Sequence, residues 1–113
     1  MLSNMDSLHN ILSRDLIENV IYPFMYSIED AVNMNNVHIL KCLARNGVNI
    51  HAKNEWAVQL ASSKGYLEVV KYLVEKCGAD IHADNEWAVR YASEYGHLNV
   101  VKYLVSKGAR LND

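Results

Sequence analysis

The chain carries a near copy of itself. Residues Asn54–Val74 and Asn85–Val105, offset by 31, differ at six of 21 positions. Their shared frame is N-E-W-A-V-x-x-A-S-x-x-G-x-L-x-V-V-K-Y-L-V. The match extends backward, with Gly47-Val48-Asn49-Ile50-His51-Ala52 aligning with Gly78-Ala79-Asp80-Ile81-His82-Ala83. A fainter copy precedes these at an offset of 30: Ala31, Val37, Ile39, Leu40, Lys41 and Leu43 fall opposite Ala61, Leu67, Val69, Val70, Lys71 and Leu73. Cys77, inserted before Gly78, accounts for the difference between the two offsets. A unit of about 30 residues cannot bury an apolar face alone, so units of this kind stack on one another in a line.

Each unit reads as two short helices and a loop. Asn54 is placed to cap the first helix and Glu55 to sit in its first turn. Trp56, Val58, Leu60 and Ala61 supply apolar contacts. Gly65 and Gly96 end the first helices at positions that call for positive φ, and Asn35 stands there in the earliest copy. Leu67, Val70, Leu73 and Val74 form one stripe of the second helix, with Glu68, Lys71 and Glu75 facing water. Ile81 plugs the connecting loop. Ser27 has capping-box spacing to Asp30.

Residues 1–23 lie outside the repeat. Asp6 to about Tyr22 reads as one helix with Leu8, Ile11, Leu12 and Leu16 on one face, stopped by Pro23. That stripe suits a cap over the first repeat. The expected organisation is a capping helix at 1–23 and repeats at 24–53, 54–84 and 85–113, an all-α helix-pair solenoid. The last repeat keeps Val100, Val101, Leu104 and Val105, so an apolar strip and self-association through that end are expected.

Gly65-Tyr66-Leu67-Glu68-Val69-Val70-Lys71-Tyr72-Leu73-Val74 followed by Gly78-Ala79-Asp80-Ile81, echoed from Gly96 to Ala109, resembles the ankyrin repeat. The family's T-P-L-H segment is replaced by Trp56-Ala57-Val58-Gln59 and Trp87-Ala88-Val89-Arg90. The network that Thr and His supply in the family cannot form, and Trp with the Asn cap is the expected substitute. The wording is similar to the ankyrin arrays of giant amoebal DNA viruses of the mimivirus type. The resemblance implies a non-catalytic module that binds a protein, a host protein in that setting, inside the cell and in the host cytoplasm. It puts contacts at loop tips and at the groove end of each first helix: Lys53, Glu55, Ser63, Lys64, Asp84, Glu86, Glu94 and Tyr95. The alternative is an adaptor whose N-terminal helix docks a ubiquitin-ligase subunit while the repeats select a target.

Composition narrows the alternatives. The net charge of -2, from 11 basic and 13 acidic residues, gives no concentrated positive field for nucleic acid or anionic membrane. The longest apolar stretch, from Asn19 to Ile28, is too short to span a bilayer and holds Pro23. Two cysteines make no disulfide scaffold. No nucleophile–base arrangement, phosphate loop or carboxylate pair is visible, so neither an enzyme nor a cofactor is expected. His51 and His82 read as loop residues bonding backbone. His38 and Cys42 are spaced i,i+4, a permitted pair of metal ligands, but two ligands are not a site, and no metal is expected. Lys41, Lys71 and Lys102 repeat at one helical position and read as a solvated face. Trp56 and Trp87 have two readings, packing between units or an aromatic ladder for a partner; burial favours the first.

Overall fold

The computed structural model describes residues 13–111. These form seven helices, with no strand among the described residues. Helix α1 is continuous but changes pitch: α-helical Arg14–Leu16, a π-helical turn Ile17–Ile21, then α-helical Tyr22–Met25. Ser13 caps it, its Oγ accepting the Leu16 N–H at 3.1 Å. Pro23 does not stop this helix. A proline lacks the N–H for the preceding turn, and its ring crowds the carbonyl four residues back, here Asn19. The turn ahead of it widens instead, the Tyr22 N–H reaching back five residues to the Ile17 carbonyl. The helix ends at Tyr26, whose φ of -118° is extended. Of the expected apolar stripe, Leu16 is half-buried; Leu8, Ile11 and Leu12 lie outside the described residues.

Three helix pairs follow: α2 (Ile28–Asn33) with α3 (Val37–Arg45), α4 (Ala52–Lys64) with α5 (Leu67–Glu75), and α6 (Ala83–Glu94) with α7 (Leu98–Ser106). The first helices α2, α4 and α6 lie side by side, and α1 rests against α3. The Ser27 capping box forms, with Asp30 N–H to Ser27 Oγ at 3.0 Å and Ser27 N–H to Asp30 Oδ2 at 2.9 Å. One core runs through all three pairs: Val32, Leu40 and Leu43, then Val58, Val70 and Leu73, then Val89, Val100 and Leu104, each fully buried. Ile50 and Ile81 plug the loops between pairs. Burying such aliphatic side chains is worth about 1.5–3 kcal/mol each, and every unit borrows part of that burial from a neighbour.

The repeated lysines bridge units. Lys41 Nζ lies 5.8 Å from the Tyr72 ring centre and Lys71 Nζ 5.9 Å from that of Tyr103, so each covers an aromatic ring of the next pair. The Tyr103 hydroxyl donates back to Glu75 at 2.6 Å. On the last pair, Val100 and Leu104 are buried and Val101 is half-buried. Of the apolar strip expected there, Val105 is exposed, at 47%, and Leu98, outside that strip, is exposed beside Tyr95 and Leu111.

The turns within the pairs take positive φ, at Asn35 (52°), Gly65 (76°) and Gly96 (79°). Two of them are not equivalent. A Cβ on Gly96 would meet nothing within 4 Å, whereas one on Gly65 would lie 2.5 Å from the His97 ring. That ring packs onto the preceding turn, and its Nε2 lies 3.0 Å from the Ser63 carbonyl oxygen. Gly96→Ala should therefore cost about 1 kcal/mol from backbone conformation alone. Gly65→Ala should cost about 2–3 kcal/mol, because the His97 contact is lost as well. Urea denaturation of the two variants tests this, and equal midpoints would contradict the His97 packing.

Candidate functional site

The first turns of α4 and α6 take an unusual path. Lys53, Asn54 and Glu55 have φ of 56°, 55° and 68°, and Asp84, Asn85 and Glu86 have 55°, 59° and 64°. Each is a full left-handed turn of non-glycine residues, at a cost of roughly 1–2 kcal/mol per residue. Asn54 is thus not the helix cap that its position suggested. Its Nδ2 donates instead to Asp84 Oδ1, on α6 of the next helix pair, at 2.7 Å. Gln59 Nε2 donates to the Asn54 carbonyl at 2.8 Å and to Asp84 Oδ2 at 3.0 Å, so Asp84 clips two helix pairs together.

His–Glu pairs hold these turns. His51 Nδ1 lies 2.9 Å from both Glu55 carboxylate oxygens, and His82 Nδ1 pairs with Glu86 in the same way. The backbone N–H of each histidine donates to Asn49 or Asp80, at 3.0 and 2.9 Å. The histidines therefore bond acidic side chains, where backbone partners were expected, and the Trp–Asn substitute gives way to a His–Glu pair with a Gln clip. Glu86 is buried and also accepts the Arg110 N–H. Burial pushes its carboxyl up, but the Arg110 N–H, the His82 ring and the nearby positive charges outweigh this and hold it below the usual carboxylate range.

Beside the turns runs an aromatic row. Trp56 and Trp87 meet edge to face with ring centres 6.2 Å apart. Trp87 continues to Tyr91 at 4.8 Å, and Tyr91 stacks on Tyr95 at 6.0 Å. Trp56, Trp87 and Tyr91 are half-buried and Tyr95 is 58% exposed, so the row packs between units and also lines a cleft of about 220 Å³. Gln59 and Ser63 complete the lining. Gln59 is 2% exposed, with Nε2 fully engaged and Oε1 lacking a partner.

Of the residues placed at contacts from sequence, Lys53, Lys64, Asp84, Glu94 and Tyr95 are exposed. Ser63 is half-buried and donates to the Leu60 carbonyl at 2.8 Å. Glu55 and Glu86 carry the left-handed turns, and Glu86 offers little surface. Trp87, Tyr91 and Gln59 join Tyr95 and Ser63 at the cleft; the spacing of Trp87, Tyr91 and Tyr95 at i, i+4 and i+8 was the available signal.

A family model described as ankyrin repeats, in three copies, matches residues 24–113. The chain belongs to the ankyrin-repeat family. Ankyrin repeats generally mediate protein–protein binding and are typically non-catalytic. No curated protein and no solved structure matches the chain. Among the described residues, no helix is long and apolar enough to cross a membrane.

A second cluster lies where α1 meets the ankyrin repeats. Cys42, fully buried on α3, has Sγ 3.5 Å from Glu18 Oε1 and 3.9 Å from His38 Nε2. His38 Nε2 is 3.3 Å from Glu18 Oε2. Arg45 Nη2 donates to Glu18 Oε1 at 3.0 Å, and Arg14 Nε lies 3.4 Å from Oε2. Burial raises the Glu18 pKa, but the hydrogen bonds from Arg45 and Cys42 and the charges of His38 and Arg14 lower it overall. Burial, with Glu18 adding to it, pushes the Cys42 thiol up. Sequence spacing gave the His38–Cys42 pair; Glu18 was missed because its approach depends on how α1 docks.

Glu86→Gln should destabilise the ankyrin stack by about 1–2 kcal/mol at neutral pH, since it removes a charged acceptor from a buried site. The Glu86 pKa is lower folded than unfolded, so its contribution is complete above the ordinary value of 4.5 and is lost as pH falls below it. Glu18, Asp30 and Glu75 are shifted the same way. Stability should therefore fall with acid below about pH 5, and less steeply in Glu86→Gln. Chemical denaturation from pH 3 to 7 measures both slopes, and parallel slopes would contradict the role given to Glu86.

Proposed function

We propose that this chain is a non-catalytic adaptor that grips one protein segment along the aromatic cleft of α4 and α6. The carrying observation is the aromatic row from Trp56 to Tyr95 beside a buried, unpartnered Gln59 Oε1. Such a cleft offers apolar area for an extended or helical segment and an acceptor for one N–H or O–H donor. Lys53, Lys64, Asp84 and Glu94, exposed on the same two helices, add mixed charge that sets orientation more than affinity. Gln59 against Arg90, Leu60 against Tyr91, Ser63 against Glu94 and Lys64 against Tyr95 differ between copies at the first helices, while Val69, Val70 and Leu73 recur as Val100, Val101 and Leu104. Repeats are taken as 24–53, 54–84 and 85–113, with 1–23 as the cap.

The similarity to giant-virus arrays, and with it a host protein as target and the host cytoplasm as setting, rests on the N-E-W-A-V wording of two copies. The ubiquitin-ligase alternative needs a free N-terminal helix, and α1 packs against α3 through residues 14–25. Self-association through the last repeat would draw on Tyr95, Leu98, Val105 and Leu111, the large apolar side chains exposed there.

Photo-crosslinking residues at Glu94 and Tyr95 test the reading against the same probes at Glu68 and Lys102 on α5 and α7. One partner captured from the first pair and not the second is expected. Gln59→Leu, which removes the acceptor together with the Nε2 bonds to Asn54 and Asp84, should weaken that capture about tenfold or more, and more than Asn54→Ala, which breaks the clip to Asp84 but keeps the acceptor. Capture from the second pair alone, or equal capture by Gln59→Leu, would overturn the assignment of the cleft.

A further inference from the structure

We propose that Glu18, His38 and Cys42 form a zinc-class metal site that fastens α1 to the first ankyrin unit. Three donor types favoured by zinc meet here, with their ligand atoms all within 4.8 Å of one another. The separations can be compared with coordination geometry. Zn–S bonds of about 2.3 Å and Zn–N and Zn–O bonds of about 2.0–2.1 Å at tetrahedral angles put sulfur about 3.5–3.6 Å from nitrogen or oxygen, and nitrogen about 3.3 Å from oxygen. The cluster has Sγ to Oε1 at 3.5 Å, Sγ to Nε2 at 3.9 Å and Nε2 to Oε2 at 3.3 Å. The two oxygen edges belong to different oxygens of the Glu18 carboxylate, so that group must turn to offer one oxygen to both neighbours, and the sulfur–imidazole edge must close by a few tenths of an ångström. A rotation of the His38 side chain, which is 60% exposed, achieves that.

Two further observations point the same way. Arg45 places Nη2 3.0 Å from Glu18 Oε1 and 3.6 Å from Cys42 Sγ, so a cation already rests on two of the three donors. Its side chain is 56% exposed and free to swing into solvent when a dication takes its place. Glu18 also sits in the π-helical turn of α1 and outside the residues that the family model covers. The third ligand is thus an addition to the ankyrin framework, presented by a widened turn. Metal binding forms a Zn–S bond and releases the Cys42 thiol proton to solvent, with no change of oxidation state. Carboxylate and thiolate together balance a dication, and the fourth position is left for water.

Cobalt(II), titrated into the full chain under reducing conditions, reads the site through its sulfur-to-metal absorption. Binding of one ion with that band, displaced by zinc, is expected, and zinc should raise the melting temperature. Cys77→Ser should bind as the parent does. Cys42→Ser should abolish the band, and Glu18→Gln and His38→Ala should each weaken binding at least about tenfold. Arg45→Gln, which removes the competing guanidinium, should tighten it. Because Glu18 and His38 lie at the surface of the core, their variants decide the matter even if Cys42→Ser fails to fold. Absence of a sulfur band with 0.1 mM cobalt, or affinity unchanged in both Glu18→Gln and His38→Ala, would overturn the site.

Discussion

The carboxylates of Glu55 and Glu86 make this version of the ankyrin loop possible. Among the described residues seven non-glycine residues stand in the left-handed region: Asn35, and three in each of the turns at 53–55 and 84–86. Unsupported, such a turn would cost several kcal/mol and the chain would choose another path. Each carboxylate meets a histidine one turn earlier in sequence, and its own N–H donates to that histidine's carbonyl, at 3.1 Å in both copies. The turn so held points Asn54 toward Asp84, and Gln59 completes the clip. The same turn sets where Trp56 and Trp87 start their helices, and so where the aromatic row lies.

The clip and the apolar core act differently. Val58, Val70 and Leu73 against Val89, Val100 and Leu104 supply the energy of stacking, which has little directional preference. Asp84 bonding two side chains of the preceding helix pair, and His97 seated over Gly65, fix the angle at which units meet. Lys41 over Tyr72 and Lys71 over Tyr103 repeat the device on the second helices. The polar contacts thereby give a slippery apolar interface one register.

The sequence was most informative where local chemistry decides the outcome. Helix pairs, the positive-φ turns at Gly65 and Gly96, the Ser27–Asp30 box and the Ile50 and Ile81 plugs all follow from residues close together in the chain. Asn54 misled because an Asn before an apolar run is ordinarily a cap, and the left-handed turn that displaces it relies on Gln59 and on Asp84 in another helix pair. Pro23 misled because a helix can widen a turn ahead of a proline instead of ending. The aromatic cleft was half legible: the copies show Trp56 and Trp87 as equivalents, but the edge-to-face contact depends on the separation of the units. Glu18 was invisible as a partner of Cys42, 24 residues away, because nothing in the repeat pattern says where α1 lies.

In a solenoid each unit feels only its neighbours, and that places the two halves of the molecule under separate control. The Glu18–His38–Cys42 cluster joins α1 to α3, within the first pair. The aromatic cleft is built from α4 and α6. A charge or a metal at the cluster therefore acts on fraying of the first pair, and reaches the second pair through the contacts of α3 with α5 and, on the cleft side, of α2 with α4. Ile28, Ile50 and Trp56 line a common hollow at that contact, so the first tryptophan of the row is the one ring that a loosened first pair would release. Trp87, Tyr91 and Tyr95 would keep their packing on one another, with Trp87 losing its edge-to-face contact with Trp56. The end of the cleft nearest α1 is thus the end whose shape depends on how firmly the N-terminal helix is held.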